Sequence, residues 1–261
     1  MKGFVYCGMT LLFILLIPAT GLAKEPEEAW DKLSDLSDQV FQLTESGHYP
    51  AAADALHRFE EQWEDYSELT KMTPDNHERI LKSSIGKLEQ YLDSLDFDKE
   101  EKQEAATEFR LVVNALTDDS TPMWMQFHDD MNSHFERMTK ALKADGSSQF
   151  QYELNQFMND YDMLYPSMLI DVDQSSMRKV QQAVQDLATQ SDQLSANSQS
   201  QSQSLKTLEN RVQTAFEMPH SSNKNLHSFQ WTALPIGGLI ILTLLYVAWR
   251  KYQGEKSYSI Y

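Results

Sequence analysis

The sequence predicts an all-α protein: an extracytoplasmic antiparallel helical bundle or α-α array with a long C-terminal helix, held by one transmembrane helix. Three observations lead there. Apolar residues after Lys24 recur at steps of three and four with almost no alternating runs, which is the period of a helix face and not of a strand. Nine glycines and eight prolines in 261 residues are too few for a loop-rich or strand-and-turn architecture. Finally, Trp231 to Trp249 is a stretch of nineteen residues without a charge.

The chain opens with Lys2 and an apolar run from Phe4 to Ile17, followed by Gly21-Leu22-Ala23, small residues where a signal peptidase reads. Residues 1–23 are therefore expected to be a signal peptide removed after Ala23, with an uncleaved signal anchor as the alternative. Cys7, the single cysteine, lies near the start of this run, whereas lipidation needs one at its end. The mature chain then has no thiol, disulfide or thiolate metal site, and must hold together by packing alone.

Residues 24–170 read as an external domain of six amphipathic helices. Trp30, Leu33, Leu36, Val40 and Leu43 stripe the first, which ends near Gly47. The second starts around Pro50 and carries Ala51, Ala52, Ala53, Ala55, Leu56, Phe59 and Trp63. Thr73-Pro74 signals the third, whose Leu81, Ile85, Leu88, Leu92 and Leu95 are heptad-spaced. Asp98 with Glu101 reads as a capping box opening the fourth, with Ala105, Phe109, Val112 and Leu116 on one face. Thr121-Pro122 repeats the start signal for a fifth carrying Trp124, Phe127, Met131, Phe135, Met138 and Leu142, with Gly146 as its stop. The sixth carries Phe150, Leu154, Phe157, Tyr161 and Leu164 and ends before Pro166.

Residues 171–217 are expected to form a long heptad-patterned helix, either a coiled coil or a packed helix of the same domain. Met177, Val180, Val184 and Leu187 mark one end of its seam, and Leu205, Leu208, Val212 and Ala215 the other. Between Gln190 and Ser204 the composition is almost entirely Ser and Gln, so the helix bends, frays or lies exposed there. Met218-Pro219 ends it, and residues 218–230 form a polar juxtamembrane linker.

The span follows at residues 231–249. At about 1.5 Å per residue it covers roughly 28 Å, enough to cross a hydrocarbon core of about 30 Å. Trp231 and Trp249 suit the two interfaces, and Arg250 and Lys251 stay on the cytoplasmic side. The mature N-terminal domain is thus expected outside, with residues 250–261 as a short cytoplasmic tail.

Net charge is −17; setting aside Lys2 and the tail's Arg250, Lys251, Glu255 and Lys256 leaves −20 for the external part. Such a surface repels phosphate backbones, which argues against nucleic-acid binding, and it attracts cations or basic partners. No Gly-x-Ser-x-Gly, His-Glu-x-x-His or phosphate-cradling glycine loop is present, so no enzymatic activity and no cofactor are expected.

Four local arrangements stand out. Gly47-His48-Tyr49-Pro50-Ala51-Ala52 has the turn spacing of a tetratricopeptide helix pair, but Leu81 to Gly86 supplies no second copy. Glu45 and His48 have the Glu-x-x-His spacing of di-iron helices, interrupted by Gly47. His57 with Glu60, Glu61 and Glu64, and the group Met123, Met125, His128, Met131, His134 and Met138, could place copper or iron ligands on neighbouring turns. Met123, Met131 and Met138 also fall on the apolar stripe, where methionine ordinarily fills core.

The opening AWDKLSDLSDQVFQL, the turn SGHYPAAADAL and the span WTALPIGGLIILTLLYVAWRKY together resemble the YpjB family of sporulation-associated proteins of Bacillus-type endospore formers. The resemblance implies a cell-membrane protein linked to sporulation, and it carries over no catalytic or binding residues. The expected function is a single-pass membrane protein whose acidic helical domain acts as a non-enzymatic interaction or structural module. Its expected partners are the membrane and another membrane or envelope protein, with homo-oligomerisation left open. An external copper- or iron-binding domain and a tetratricopeptide-like adaptor are the alternatives.

Overall fold

The helical period turns into eight α-helices and one 3-10 turn, with no strand among the described residues. The structure, a computed structural model, describes residues 26–66, 73–117, 121–144, 146–191 and 198–217. The elements are α1 (Pro26–Glu45), α2 (Tyr49–Asp65), α3 (Asp75–Asp93), α4 (Lys99–Thr117), the 3-10 turn Met123–Phe127, α5 (His128–Lys143), α6 (Ser147–Asp171), α7 (Gln174–Ser191) and α8 (Ser198–Glu217). Cleavage after Ala23, the linker 218–230, the span from Trp231 to Trp249 and the flanking Arg250 and Lys251 all lie outside the described residues. No helix among the described residues is long and apolar enough to cross a membrane.

Helices α1 to α4 surround one core. Gly47, at φ +74°, turns the chain between α1 and α2. His48 N–H donates to Leu43 O and Gly47 N–H to Thr44 O, the paired bonds of a Schellman ending. Ala52, fully buried, then lets α2 approach α1 closely. Phe59 of α2 meets Phe109 of α4 edge to face, with ring centroids 4.9 Å apart. Arg110 of α4 donates to Asp38 of α1 at 2.5 Å and lies over the Phe41 ring.

The second core lies among α5 to α8 and the 3-10 turn, and α4 and α6 lie side by side between the two. That position explains α4. From Glu101 to Thr117 no residue is exposed: Leu111 joins the second core while Phe109 and Val112 join the first. The single stripe expected from Ala105, Phe109, Val112 and Leu116 is thus one face of a helix covered all round. The reciprocal bonds Asp98 N–H to Glu101 Oε2 (2.8 Å) and Glu101 N–H to Asp98 Oδ1 (3.0 Å) form the expected capping box.

Four expectations need correction. Leu95 does not continue the α3 stripe: α3 ends at Asp93, and Leu95 is 99 % exposed. The fifth helix does not run unbroken from Thr121-Pro122. A 3-10 turn precedes it, anchored by Met123 N–H to Asn114 Oδ1 (2.8 Å), and the turn sets Trp124 into the core. Pro166 does not end the sixth helix. An internal proline costs about 3 kcal/mol, but Ser167, Met168, Ile170 and Asp171 beyond it are all buried, and their packing holds α6 on to Asp171.

Lastly, residues 171–217 are not one long helix. α7 and α8 pack antiparallel, with Gln201 and Ser204 bonded back to Gln190. The reversal lets Met177, Val180, Val184 and Leu187 share a core with Leu205, Leu208, Val212 and Ala215. One extended helix would leave both seams to find cover elsewhere.

Candidate functional site

In the second bundle, two groups of polar side chains are each bonded among themselves. On α5, His134 is buried between Arg137 of its own helix and Asp160 of α6. Arg137 Nη2 can only donate, so His134 Nδ1, 2.8 Å away, is the acceptor, and Nε2–H donates to Asp160 Oδ2 at 2.7 Å. Arg137 Nε also donates to Glu153 Oε2 (2.6 Å), whose other oxygen accepts from Gln149 (2.7 Å). The bond from Arg137 holds the Glu153 carboxyl below the usual carboxylate range, against the cost of burial.

A second group fastens the end of α8. Phe216 packs edge-on against Trp124 and His128, with centroids at 5.0 and 5.1 Å. Gln213 donates to Asn132 and accepts from His128 Nε2 at 3.1 Å. Beneath them, Trp124 Nε1–H donates to the buried carboxylate of Asp171 at 2.9 Å.

Between α3, α4 and α6 lie carboxylates at an apolar boundary. Burial raises Glu104, Glu108 and Asp162 above the usual range, and Glu100 and Asp160 add to the rise at Glu104. Lys87 opposes it, with Nζ 2.5 Å from Glu108 Oε2.

The residues weighed as metal ligands are dispersed. Met131 and Met138 are core, Met123 and Met125 lie partly buried against it, and His134 has both ring nitrogens bonded. His57 is exposed and faces Glu60 at 3.4 Å, while Glu45 and His48 are exposed on either side of the Gly47 turn. Among the described residues, no three His, Cys, Asp or Glu side chains are placed to hold one metal ion. The sequence reading missed Arg137, Glu153, Asp160, Asn132, Gln213 and Asp171. Arg137, three residues from His134, Asn132, four from His128, and Glu153, four from Gln149, carried a local signal; Asp160, Asp171 and Gln213 meet these partners across helices.

The profile of the family described as "Sporulation protein YpjB (SpoYpjB)" matches residues 30–259. The chain belongs to the YpjB family of sporulation proteins. The YpjB of Bacillus subtilis (strain 168), described as an uncharacterized protein, is 27 % identical over 249 residues, which is 94 % of each chain. No solved structure matches the chain. The match runs through both bundles and on past residue 249, so family membership rests on the whole arrangement and not on one segment.

Proposed function

We propose that this YpjB-family chain is a membrane-tethered interaction or structural module of sporulation, which acts by binding and not by catalysis. The observation that carries this reading is the fastening of α8. Phe216 and Gln213, within five residues of its end at Glu217, are locked onto Trp124, His128 and Asn132. The helix that leads towards the apolar stretch Trp231–Trp249 is therefore part of the folded core. Only thirteen residues, 218–230, separate the two. At roughly 3.3 to 3.6 Å per residue, that keeps the domain within about 45 Å of an anchor at the span.

Confinement of this kind raises the effective concentration against another protein in the same membrane, so a weak contact suffices. The charge of −20 favours a basic partner and makes the contact salt-sensitive. The polar groups of the second bundle support binding over catalysis because they spend their hydrogen bonds on one another. The test is complementation of a deletion strain, read as spore yield. A version secreted after truncation at Ser228 should fold yet fail to complement, and grafting an unrelated single span onto it should restore function. Full complementation by the untethered domain would overturn the reading.

A further inference from the structure

Leu95 is 99 % exposed at the tip of the loop joining α3 to α4, yet the loop beneath it is tightly organised. Phe97 stacks on Tyr91 at 3.8 Å with the rings 6° from parallel. Asp96 N–H donates to Ser94 Oγ (3.0 Å), and Lys102 Nζ donates to Ser94 O (2.7 Å) while lying over the Tyr49 ring of α2. The capping box of Asp98 and Glu101 fixes the far side. An isolated exposed leucine is ordinary on a protein surface. A leucine fully exposed on a loop fixed by six contacts sits on backbone that is already ordered, so a contact there costs little further backbone entropy.

Charge selects what it contacts. Asp93, Asp96, Asp98 and Glu100 are exposed around Leu95, with Lys99 the one exposed base from Asp93 to Glu100. A second copy of this chain would bring like charges together, and anionic lipid would be repelled. The place of the loop agrees. It sits at the start of α4, whereas Asn114, about 22 Å further along that helix at 1.5 Å per residue, bonds the 3-10 turn on which Phe216 ends α8. Leu95 therefore lies beyond the opposite end of α4 from the turn onto which the end of α8 is fastened.

We infer that Leu95 and its acidic rim are the docking tip of the domain, and that the occupant is a protein presenting an apolar pocket rimmed by Lys and Arg. The inference rests on the interaction reading above and assigns it a surface. The experiment places a photo-crosslinking benzophenone residue at Leu95, and separately at Tyr152 on α6, in the full chain in sporulating cells. The protein captured from position 95 is then purified and titrated against the full chain. Burial of a leucine predicts that Leu95→Ala weakens binding about tenfold to a hundredfold. Leu95→Met should retain most of it, added salt should weaken it, and neither substitution should change the melting temperature. Crosslinks from position 95 to a second copy, to lipid or to nothing would overturn the proposal, as would unchanged affinity of Leu95→Ala. Crosslinks to a protein from Tyr152 alone would remove the tip and leave the interaction reading standing. Silence at both positions, with full complementation by the untethered domain, would remove both.

Discussion

Tyr161 shows how tightly the second core is drawn. Its ring stacks with Phe157 at 6.0 Å and meets Tyr165 at 5.5 Å, while its buried hydroxyl has no hydrogen-bond partner among the described residues. Burial, helped by Tyr165 and Asp162, pushes the phenol above its ordinary value. A buried hydroxyl without a partner costs about 1 to 3 kcal/mol, so Tyr161→Phe should raise stability by about 1 kcal/mol. Urea unfolding of the segment 24–228 measures it, and a loss of stability would mean that the hydroxyl is bonded. His134 is the contrasting residue. On sequence it reads as one of the possible copper or iron ligands; the structure makes it the centre of a hydrogen-bonded group because Asp160 arrives from another helix. Partners 26 residues apart leave no spacing signal.

Helix α4 is packed from both sides, and its carboxylates bear the consequence. Glu104 and Glu108 of α4, and Asp162 of α6, have folded-state pKa values raised by burial, with only Lys87 of α3 placed to compensate. Where the folded pKa exceeds the unfolded one, the native state binds protons more readily, so stability is gained as pH falls from neutrality towards the ordinary carboxylate range near about 4. Glu153 and Asp173 are lowered, by Arg137 and by the Ser175 and Ser176 bonds respectively, and their stabilisation is lost below that range. The melting temperature should thus rise from pH 7 to about pH 5 and fall below about pH 4. A steady decline from pH 7 downward would show that Lys87 outweighs burial. Helices as units were legible because Phe109, Phe135 and Phe157 lie on stripes of regular period and are buried. Besides the 3-10 turn ahead of α5, three departures were not. A heptad count carries Leu95 past the end of α3, a proline rule stops α6 at Pro166, and a continuous seam conceals the reversal between α7 and α8. Each is decided by contacts between helices, which a period along one helix does not encode.

At the scale of the molecule, two cores share one pair of helices, and that governs how the protein unfolds. α4 gives Phe109 and Val112 to the first core and Leu111 to the second, while α6 gives Ile170 to the first and Phe157 and Leu164 to the second. If α4 unwinds, both cores lose a wall, so the two bundles are expected to unfold together. Phe109→Ala and Phe157→Ala each remove a fully buried ring, at a cost of about 3 to 5 kcal/mol. At roughly 2 to 4 °C per kcal/mol for a chain of this size, each should lower one and the same calorimetric transition by about 6 to 20 °C. The two substitutions lie in different cores, so independent bundles would instead show two transitions, with only one moved by each variant. A single shared transition would also bear on the tethered reading: a contact made at Leu95, beyond the start of α4, and the fastening of α8 at Phe216 would then belong to one cooperative body, so occupancy at either end stabilises the whole.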